Sequence, residues 1–170
     1  MGHVTSIADA GLAAAAWDAS VAADIIAAHA GLPGAALPIL HALQAQFGFV
    51  PRQTHAMIAD ALNLSRAEIH GVVSFYHDFR STPPGRHVLK LCRAEACQAM
   101  GGVALAENAL RETGAAWGGT APDGSVTIEP AYCLGLCACA PAALLDGEPV
   151  GRLSEASLSA LLRDCREHAA

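Results

Sequence analysis

Lysine is almost missing from this chain: Lys90 stands alone against nine arginines in 170 residues. Charge of any sign is sparse, at 15%, aromatics make up only 5%, and the formal net charge is −6. With no basic run anywhere, neither nucleic acid nor an anionic membrane surface is a suitable partner. An export signal is also lacking, since Met1–Trp17 has no basic leading segment and Asp9 interrupts its apolar stretch. The longest uncharged run, Ile25–Pro51, contains Gly31, Pro33, Gly34 and Pro38, with His29 and His41 around them, which argues against a spanning helix. No G-x-G-x-x-G follows a strand pattern, and no nucleophile–His–acid set stands out, so neither dinucleotide binding nor a catalytic centre of its own is expected. The opening "MGHVTS" matches a myristoylation pattern and Asn63-Leu64-Ser65 a glycosylation acceptor, but both patterns are short and common. The expected location is cytoplasmic, where thiols stay reduced and clustered cysteines point to metal or catalysis rather than to disulfides.

Apolar residues are plentiful, at 53%, and their spacing divides the chain. The first half reads as helical. Trp17–Ala30 is Ala-rich, with Val21, Ile25 and Ile26 at helical spacing, and "GLPG" (31–34) breaks it. Ala35–Phe47 follows, with Leu40, Leu43 and Phe47 on one face and Pro38 tolerated in the first turn. Gly48 stops that helix, and Pro51 opens another that ends near Leu62. In "NLSRAEIHGVVSFY" (63–76), Ser65 and Glu68 form a capping box with Leu64 and Ile69 in the staple positions. Ile69, Val72, Val73 and Tyr76 then make one buried stripe. Asn63 and Ser65 are thereby explained without a sugar.

"STPPG" (81–85) is the one linker signal. Beyond it the pattern changes. "HVLKLC" (87–92) alternates as a strand, Cys97–Thr113 reads as a helix stopped by Gly114, and "SVTIEPAY" (125–132) is a second strand. "AALLD" and "PVGRL" flank Gly147-Glu148 as a hairpin, and Ser154 caps a last helix whose inner face carries Leu158, Leu161, Leu162 and Cys165. The organisation expected is a helical region over 1–80, a linker over 81–85, and a small α/β unit over 86–170, a sheet with helices on its faces.

Four of the six cysteines make a pattern. Four residues separate Cys92 from Cys97, three separate Cys133 from Cys137, and 35 lie between the pairs. Each pair follows a strand. If the two strands run in one direction, both pairs leave the sheet at the same end, which is what a four-thiolate cage requires. Zinc sites usually close on C-x2-C hairpins, and a redox dithiol is C-x-x-C; neither spacing occurs here. A [2Fe–2S] cluster takes two thiolates per iron, so looser loops can wrap it. The spacing thus favours iron–sulfur, with zinc and unligated thiols still open. Gly135 and the small residues of "CLGLCACAP" would let backbone N–H groups approach the sulfurs. Arg93 is either a charge beside the site or a solvated side chain. Cys139 and Cys165 read as small apolar residues in the core. His70, His77 and His87, with the aromatics of "SFYHDFR", read as a packing segment around the linker.

These residues resemble a known family, the thioredoxin-like [2Fe–2S] subunit of NADH:quinone oxidoreductase (complex I), NAD-reducing hydrogenases and NAD-dependent formate dehydrogenases. The family motif, C-x4-C followed after a few dozen residues by C-L-G-x-C-x-x-A-P, matches Cys92, Cys97, Cys133-Leu134-Gly135-Leu136-Cys137 and Ala140-Pro141. "ALPILHALQAQFGFVP" (36–51) and "LSRAEIHGVVSFYHDF" (64–79) are similar to its helical region. The resemblance implies an α/β fold: a thioredoxin-like [2Fe–2S] ferredoxin domain preceded by an N-terminal helical bundle. It implies one [2Fe–2S] cluster on Cys92, Cys97, Cys133 and Cys137, with Cys139 not a ligand. It further implies a partner subunit carrying FMN and binding NAD(H), another iron–sulfur or molybdenum subunit in the full assembly, and no membrane insertion. "FYHDFR" (75–80) and "LCRAEACQAMG" (91–101) look most like the gamma subunit of molybdenum-containing formate dehydrogenases. The rivals are a zinc-stapled interaction domain and a stand-alone ferredoxin-like carrier.

Overall fold

The computed structural model describes residues 16–167; the myristoylation-type start lies outside them. The described chain forms two compact units that meet in sequence at Pro83–Pro84.

The first unit is helical. Asp18 caps α1 (Ala19–His29) by accepting the N–H groups of Ser20 and Val21. Pro38 lies in the first turn of α2 (Ala36–Phe47), where its missing N–H costs nothing, and Gly48 ends that helix at φ 77°. α3 (Thr54–Leu62) starts three residues after Pro51 rather than at it. The Pro51 carbonyl is occupied by both the N–H and the hydroxyl of Thr54, which closes a separate turn first. Ser65 and Glu68 form the expected capping box on α4 (Arg66–Phe75), with the Ser65 N–H 2.8 Å from Glu68 Oε2 and the Glu68 N–H 3.2 Å from Ser65 Oγ.

Ile26, Ile39, Leu40, Leu43, Phe47, Ile58 and Ile69 make the core of this unit. Each such side chain contributes roughly 1.5–3 kcal/mol by leaving water. The expected stripe on α4 is shorter than its spacing predicts. Ile69 and Val73 are buried, but Tyr76 is 44% exposed. The helix ends at Phe75, and Tyr76 continues as extended backbone, so the i, i+7 relation no longer applies to it.

The second unit contains β1 (His87–Cys92), α5 (Glu95–Ala99), α6 (Gly102–Thr113), β2 (Gly119–Thr120), β3 (Val126–Ala131), a 3₁₀ turn at Cys137–Cys139, β4 (Ala143–Leu145), β5 (Glu148–Val150) and α7 (Glu155–Glu167). The sheet order is β2-β3-β1-β4-β5, with β1 parallel to β3 and every other pairing antiparallel. Leu89, Leu91, Val126 and Ile128 meet Ala106, Ala109, Leu158, Leu162 and Cys165 in one core. Ser154 accepts the Ser157 N–H at the start of α7 as expected.

Two local expectations are corrected. The helix expected over Cys97–Thr113 is two helices broken at Gly101 (φ 88°), and Cys97 is the third residue of α5 rather than a helix start. Gly102 explains why the chain is not continuous here: a Cβ on it would lie 2.6 Å from the Cys97 carbonyl oxygen, so the turn requires glycine. The β4–β5 turn is Asp146-Gly147, one residue earlier than read, with φ of 51° and 90°. Two positive φ angles are what a two-residue type I′ hairpin requires. No helix among the described residues is long and apolar enough to cross a membrane.

Candidate metal centre

The parallel ladder decides where the cysteines go. Cys92 is the last residue of β1 and lies opposite Ala131, the last residue of β3. Beyond them the Arg93 N–H donates to the Ala131 carbonyl at 2.7 Å. The Cys92–Cys97 loop and the Cys133–Cys137 loop therefore leave the sheet at one end. β4 approaches from the other side, and the Cys92 N–H donates to the Ala142 carbonyl at 3.0 Å.

The sulfurs sit among backbone donors. Burial works to raise the Cys92 thiol, but hydrogen bonds from the Ala94 N–H, the Cys97 side chain and the Leu134 and Cys133 N–H groups outweigh it and hold its pKa below the usual thiol range. Cys97 is pushed the other way: burial first, then its bond to Cys92, raise it against an opposing Ala142 N–H. The Cys92 and Cys137 charges add to that rise, so Cys137 lies within electrostatic reach of Cys97. Cys92 and Cys97 are thus in direct contact, and Cys133 meets Cys92 through its backbone N–H. Cys92 and Cys97 are buried, whereas Cys133 and Cys137 are exposed.

Backbone shape supports this placement. Cys133 has φ 105°, rare for a residue with a side chain, and Gly135 has φ 75°. Such a conformation costs on the order of 1–3 kcal/mol and persists only where its surroundings impose it. Here it turns the Cys133 and Leu134 N–H groups toward the Cys92 sulfur. Ala142 packs with Cys92 and Cys97, and Ala94, Leu134, Leu136 and Ala140 close around them. Small apolar side chains keep water off the Cys92 and Cys97 sulfurs while leaving the amide groups free to reach them.

The other two cysteines behave differently. The Cys139 carbonyl accepts the Arg152 N–H at 2.6 Å, and a Cβ on Gly151 would lie 2.7 Å from the Cys139 Cβ, so Cys139 packs against the segment after β5. It is partly exposed rather than the buried residue expected. Cys165 is 2% exposed. Burial, with the Asp146 and Asp164 carboxylates, pushes its thiol up to about 12.

Among the described residues, no group of three or more His, Cys, Asp or Glu is gathered tightly enough for a single metal ion. A two-iron cluster takes its thiolates two per iron and needs no such gathering. An oxidised four-thiolate [2Fe–2S] centre carries net negative charge, which the N–H groups on Cys92 and Cys97 are placed to stabilise. The residues present fit that group.

Sequence reasoning missed two contacts of the β1 strand, one just past its cysteine end and one at its opposite end. The Arg93 guanidinium lies over the Trp117 ring, 4.8 Å from its centroid, and so is anchored rather than freely solvated. His87, read as a packing residue, bonds Asp146 Oδ2 through Nδ1 at 2.7 Å, while Asp146 Oδ1 accepts the Val88 N–H. Neither pair is close in sequence, so no local pattern signals it.

Comparison with known proteins agrees with this geometry. A family model for the thioredoxin-like [2Fe–2S] ferredoxin matches residues 22–166. The chain is 28% identical over 131 residues to the HndA component of the NADP-reducing hydrogenase of Solidesulfovibrio fructosivorans, covering 77% of each chain. It is 30% identical over 128 residues to a component of the NADH-quinone oxidoreductase of Pseudomonas aeruginosa, covering 75% of this chain and 77% of the relative. A crystal structure of an NAD+-reducing [NiFe]-hydrogenase in the air-oxidised state is similar over 78% of this chain, with a TM-score of 0.67 and 28% identity. The match spans only 23% of that longer hydrogenase chain.

Proposed function

The chain belongs to the thioredoxin-like [2Fe–2S] ferredoxin family, and from that premise we propose that it is the electron-transfer subunit of an NAD-dependent oxidoreductase. Cys92, Cys97, Cys133 and Cys137 hold its one [2Fe–2S] cluster. The observation that carries the assignment is the convergence of both cysteine loops at the shared end of β1 and β3. Bound there, the cluster supplies one-electron transfer, complementing the paired-electron hydride chemistry of a flavin.

The protein's own residues set the conditions for that transfer. Cys92 and Cys97 provide the buried side of the cage, and Cys133 and Cys137 the side open to a partner. The N–H groups of Ala94, Cys133, Leu134 and Ala142 offset negative charge on the sulfurs. The partner proposed is a larger subunit that carries FMN and binds NAD(H), with another iron–sulfur or molybdenum subunit in the full assembly. The helical region over 1–80, joined through 81–85 to the domain over 86–170, supplies part of that interface. The assembly is cytoplasmic.

The finer reading is the gamma subunit of a molybdenum-containing, NAD-dependent formate dehydrogenase. It is supported by "FYHDFR" and "LCRAEACQAMG". The relatives carry hydrogenase and NADH-quinone oxidoreductase names, which support the equivalent subunit of those complexes.

Anaerobic purification followed by iron, sulfide and zinc analysis tests the cofactor. Two irons per chain, and an EPR signal appearing on reduction, are expected; zinc without iron overturns the assignment in favour of a stapled interaction domain. Purifying the native assembly and assaying flavin, molybdenum and formate-dependent NADH formation tests the complex. A flavoprotein that co-purifies is expected, whereas a monomer fully active alone returns the protein to a free carrier. NADH-dependent rapid mixing with EPR detection then separates an on-path cluster, filled within the turnover time, from a side reservoir.

A further inference from the structure

A cavity of about 660 Å³ opens within the helical unit, lined by Phe49, Arg52, Gln53, His55, Ala56, Arg66, His70 and Ser81. Small-molecule sites typically span roughly 300–1,000 Å³. The charge around this one is one-sided. Residues 16–83 hold three arginines, Arg52, Arg66 and Arg80, and five carboxylates, Asp18, Asp24, Asp60, Glu68 and Asp78. Two of those arginines line the cavity, and none of the carboxylates does. In a chain of net charge −6, such local segregation is the opposite of the background.

The histidines strengthen the case. His55 and His70 pack at a tilt within the lining, their ring centroids 5.8 Å apart. Nε2 of His55 is shielded from water and has no hydrogen-bond partner. Burial first, then His70 and Arg52, hold the His55 pKa below its usual value. The start of α3 borders the same space. Its first turn contains no acidic residue, and Gln53, at the cap position, makes no capping hydrogen bond. A helix start of this kind favours an anion.

We propose that this cavity binds a phosphate-bearing small molecule, its phosphate held between Arg52 and Arg66 with His55 and His70 beside it. Arg66 and His70 stand four residues apart on α4 and therefore face the same way, and they line the cavity with Arg52 in the turn before α3 and His55 in its first turn. Both arginines present planar donor forks suited to phosphate oxygens. Phosphate is preferred to a lone carboxylate because two arginine forks exceed what one negative charge requires. Phe49 adds an apolar wall on which a ring attached to the phosphate would pack. The site is made entirely by the helical unit and involves none of the cysteines, so it stands or falls separately from the cluster.

Calorimetric titration of the cluster-loaded full chain with pyrophosphate, ADP and adenosine tests the proposal. Pyrophosphate or ADP binds one per chain, adenosine does not, and added salt weakens the binding. Arg52→Ala and Arg66→Ala each weaken it about tenfold, with Arg52→Lys and Arg66→Lys partly restoring it. Arg163→Ala, an exposed arginine on α7, leaves it unchanged. Tighter binding of ADP than of pyrophosphate identifies a nucleotide source, and equal binding a free phosphate source. Circular dichroism and the visible spectrum of the cluster confirm that each variant is folded. The absence of saturable binding by either phosphate probe overturns the proposal, as does an equal loss in Arg163→Ala. If no probe binds while the Arg52 and Arg66 variants weaken association with the partner subunit, the cavity is a protein-docking surface and the small-molecule site is refuted.

Discussion

Cys92 and Ala131 lie opposite each other as the last pair of the parallel β1–β3 ladder, and the Arg93 N–H extends the ladder one step further onto the Ala131 carbonyl at 2.7 Å. Because pairing persists to the final residue of both strands, the two cysteine loops start from a common, rigid edge. Slipping the register by one residue would turn Cys92 to the opposite face of the sheet, so the ladder itself determines which sulfurs can meet.

Cysteine substitution should therefore discriminate sharply even between residues two positions apart. Cys97→Ser and Cys137→Ser should each bleach or shift the visible absorption and lower the iron content of the purified chain. Cys139→Ser, which alters a side chain packed toward Gly151, should leave both unchanged. Loss of the cluster in Cys139→Ser with retention in Cys97→Ser would reverse the ligand assignment.

Two adjacent glycines should behave differently. A Cβ on Gly102 would meet the Cys97 carbonyl carbon and oxygen at 3.0 and 2.6 Å, whereas nothing lies within 4 Å of one on Gly101. Gly102→Ala should destabilise the protein by about 1–3 kcal/mol through crowding and also move the EPR g-values, because the displaced backbone carries Cys97, a proposed ligand. Gly101→Ala should cost about 1–2 kcal/mol through its positive φ, with unchanged g-values. Chemical denaturation and EPR on both variants check the contrast.

The anchored guanidinium of Arg93 places a positive charge one residue from Cys92. Removing it should make an extra electron less welcome, so Arg93→Gln should give a more negative reduction potential in an EPR-monitored titration. Trp117→Leu, which removes the ring beneath Arg93, should shift the potential in the same direction by less. A potential unchanged in Arg93→Gln would return that residue to a purely structural role.

Thiol reactivity should separate the two remaining cysteines. Cys165 is buried and its thiol is raised to about 12, so almost none of it is thiolate near neutral pH. A thiol reagent should label Cys139 in the folded, cluster-loaded protein and reach Cys165 only after denaturant is added. Mass spectrometry of the digested protein reads this directly.

The capping box should contribute to acid sensitivity. The Ser65 N–H, and then its hydroxyl, hold the Glu68 carboxyl below its usual pKa. A depressed folded-state value stabilises the protein above the unfolded-state pKa, and that stability is lost as pH falls through the folded value. Glu68→Gln should therefore flatten the decline in melting temperature between neutral and acidic pH. Ser65→Ala should lower the melting temperature at neutral pH as well, by removing the acceptor for the Glu68 N–H.

Much of this was legible in the residues themselves, and the parts that were not share a cause. The Asn63–Glu68 start of α4, the stop at Gly48 and the strand ending at Cys92 depend on neighbours within a few positions, so spacing and residue type reveal them. The four-cysteine pattern is legible for the same reason, since two thiols a few residues apart must share a loop. The break at Gly101 escaped because helix propensity carries no record of the Cys97 carbonyl pressing on Gly102. The Arg93–Trp117 contact and the basic cavity between Arg52 and Arg66 escaped because each joins segments whose approach is decided by packing.

Sequence by itself determined which segments become helix or strand and which atoms are available as ligands, because those choices are governed by local backbone sterics and side-chain chemistry. Only the tertiary structure decided that β1 and β3 run side by side in parallel, and hence that two cysteine loops with 35 residues between them leave the sheet at one end. That outcome depends on burying Leu89, Leu91, Val126 and Ile128 in one core, a requirement of the whole domain that no short window of sequence expresses.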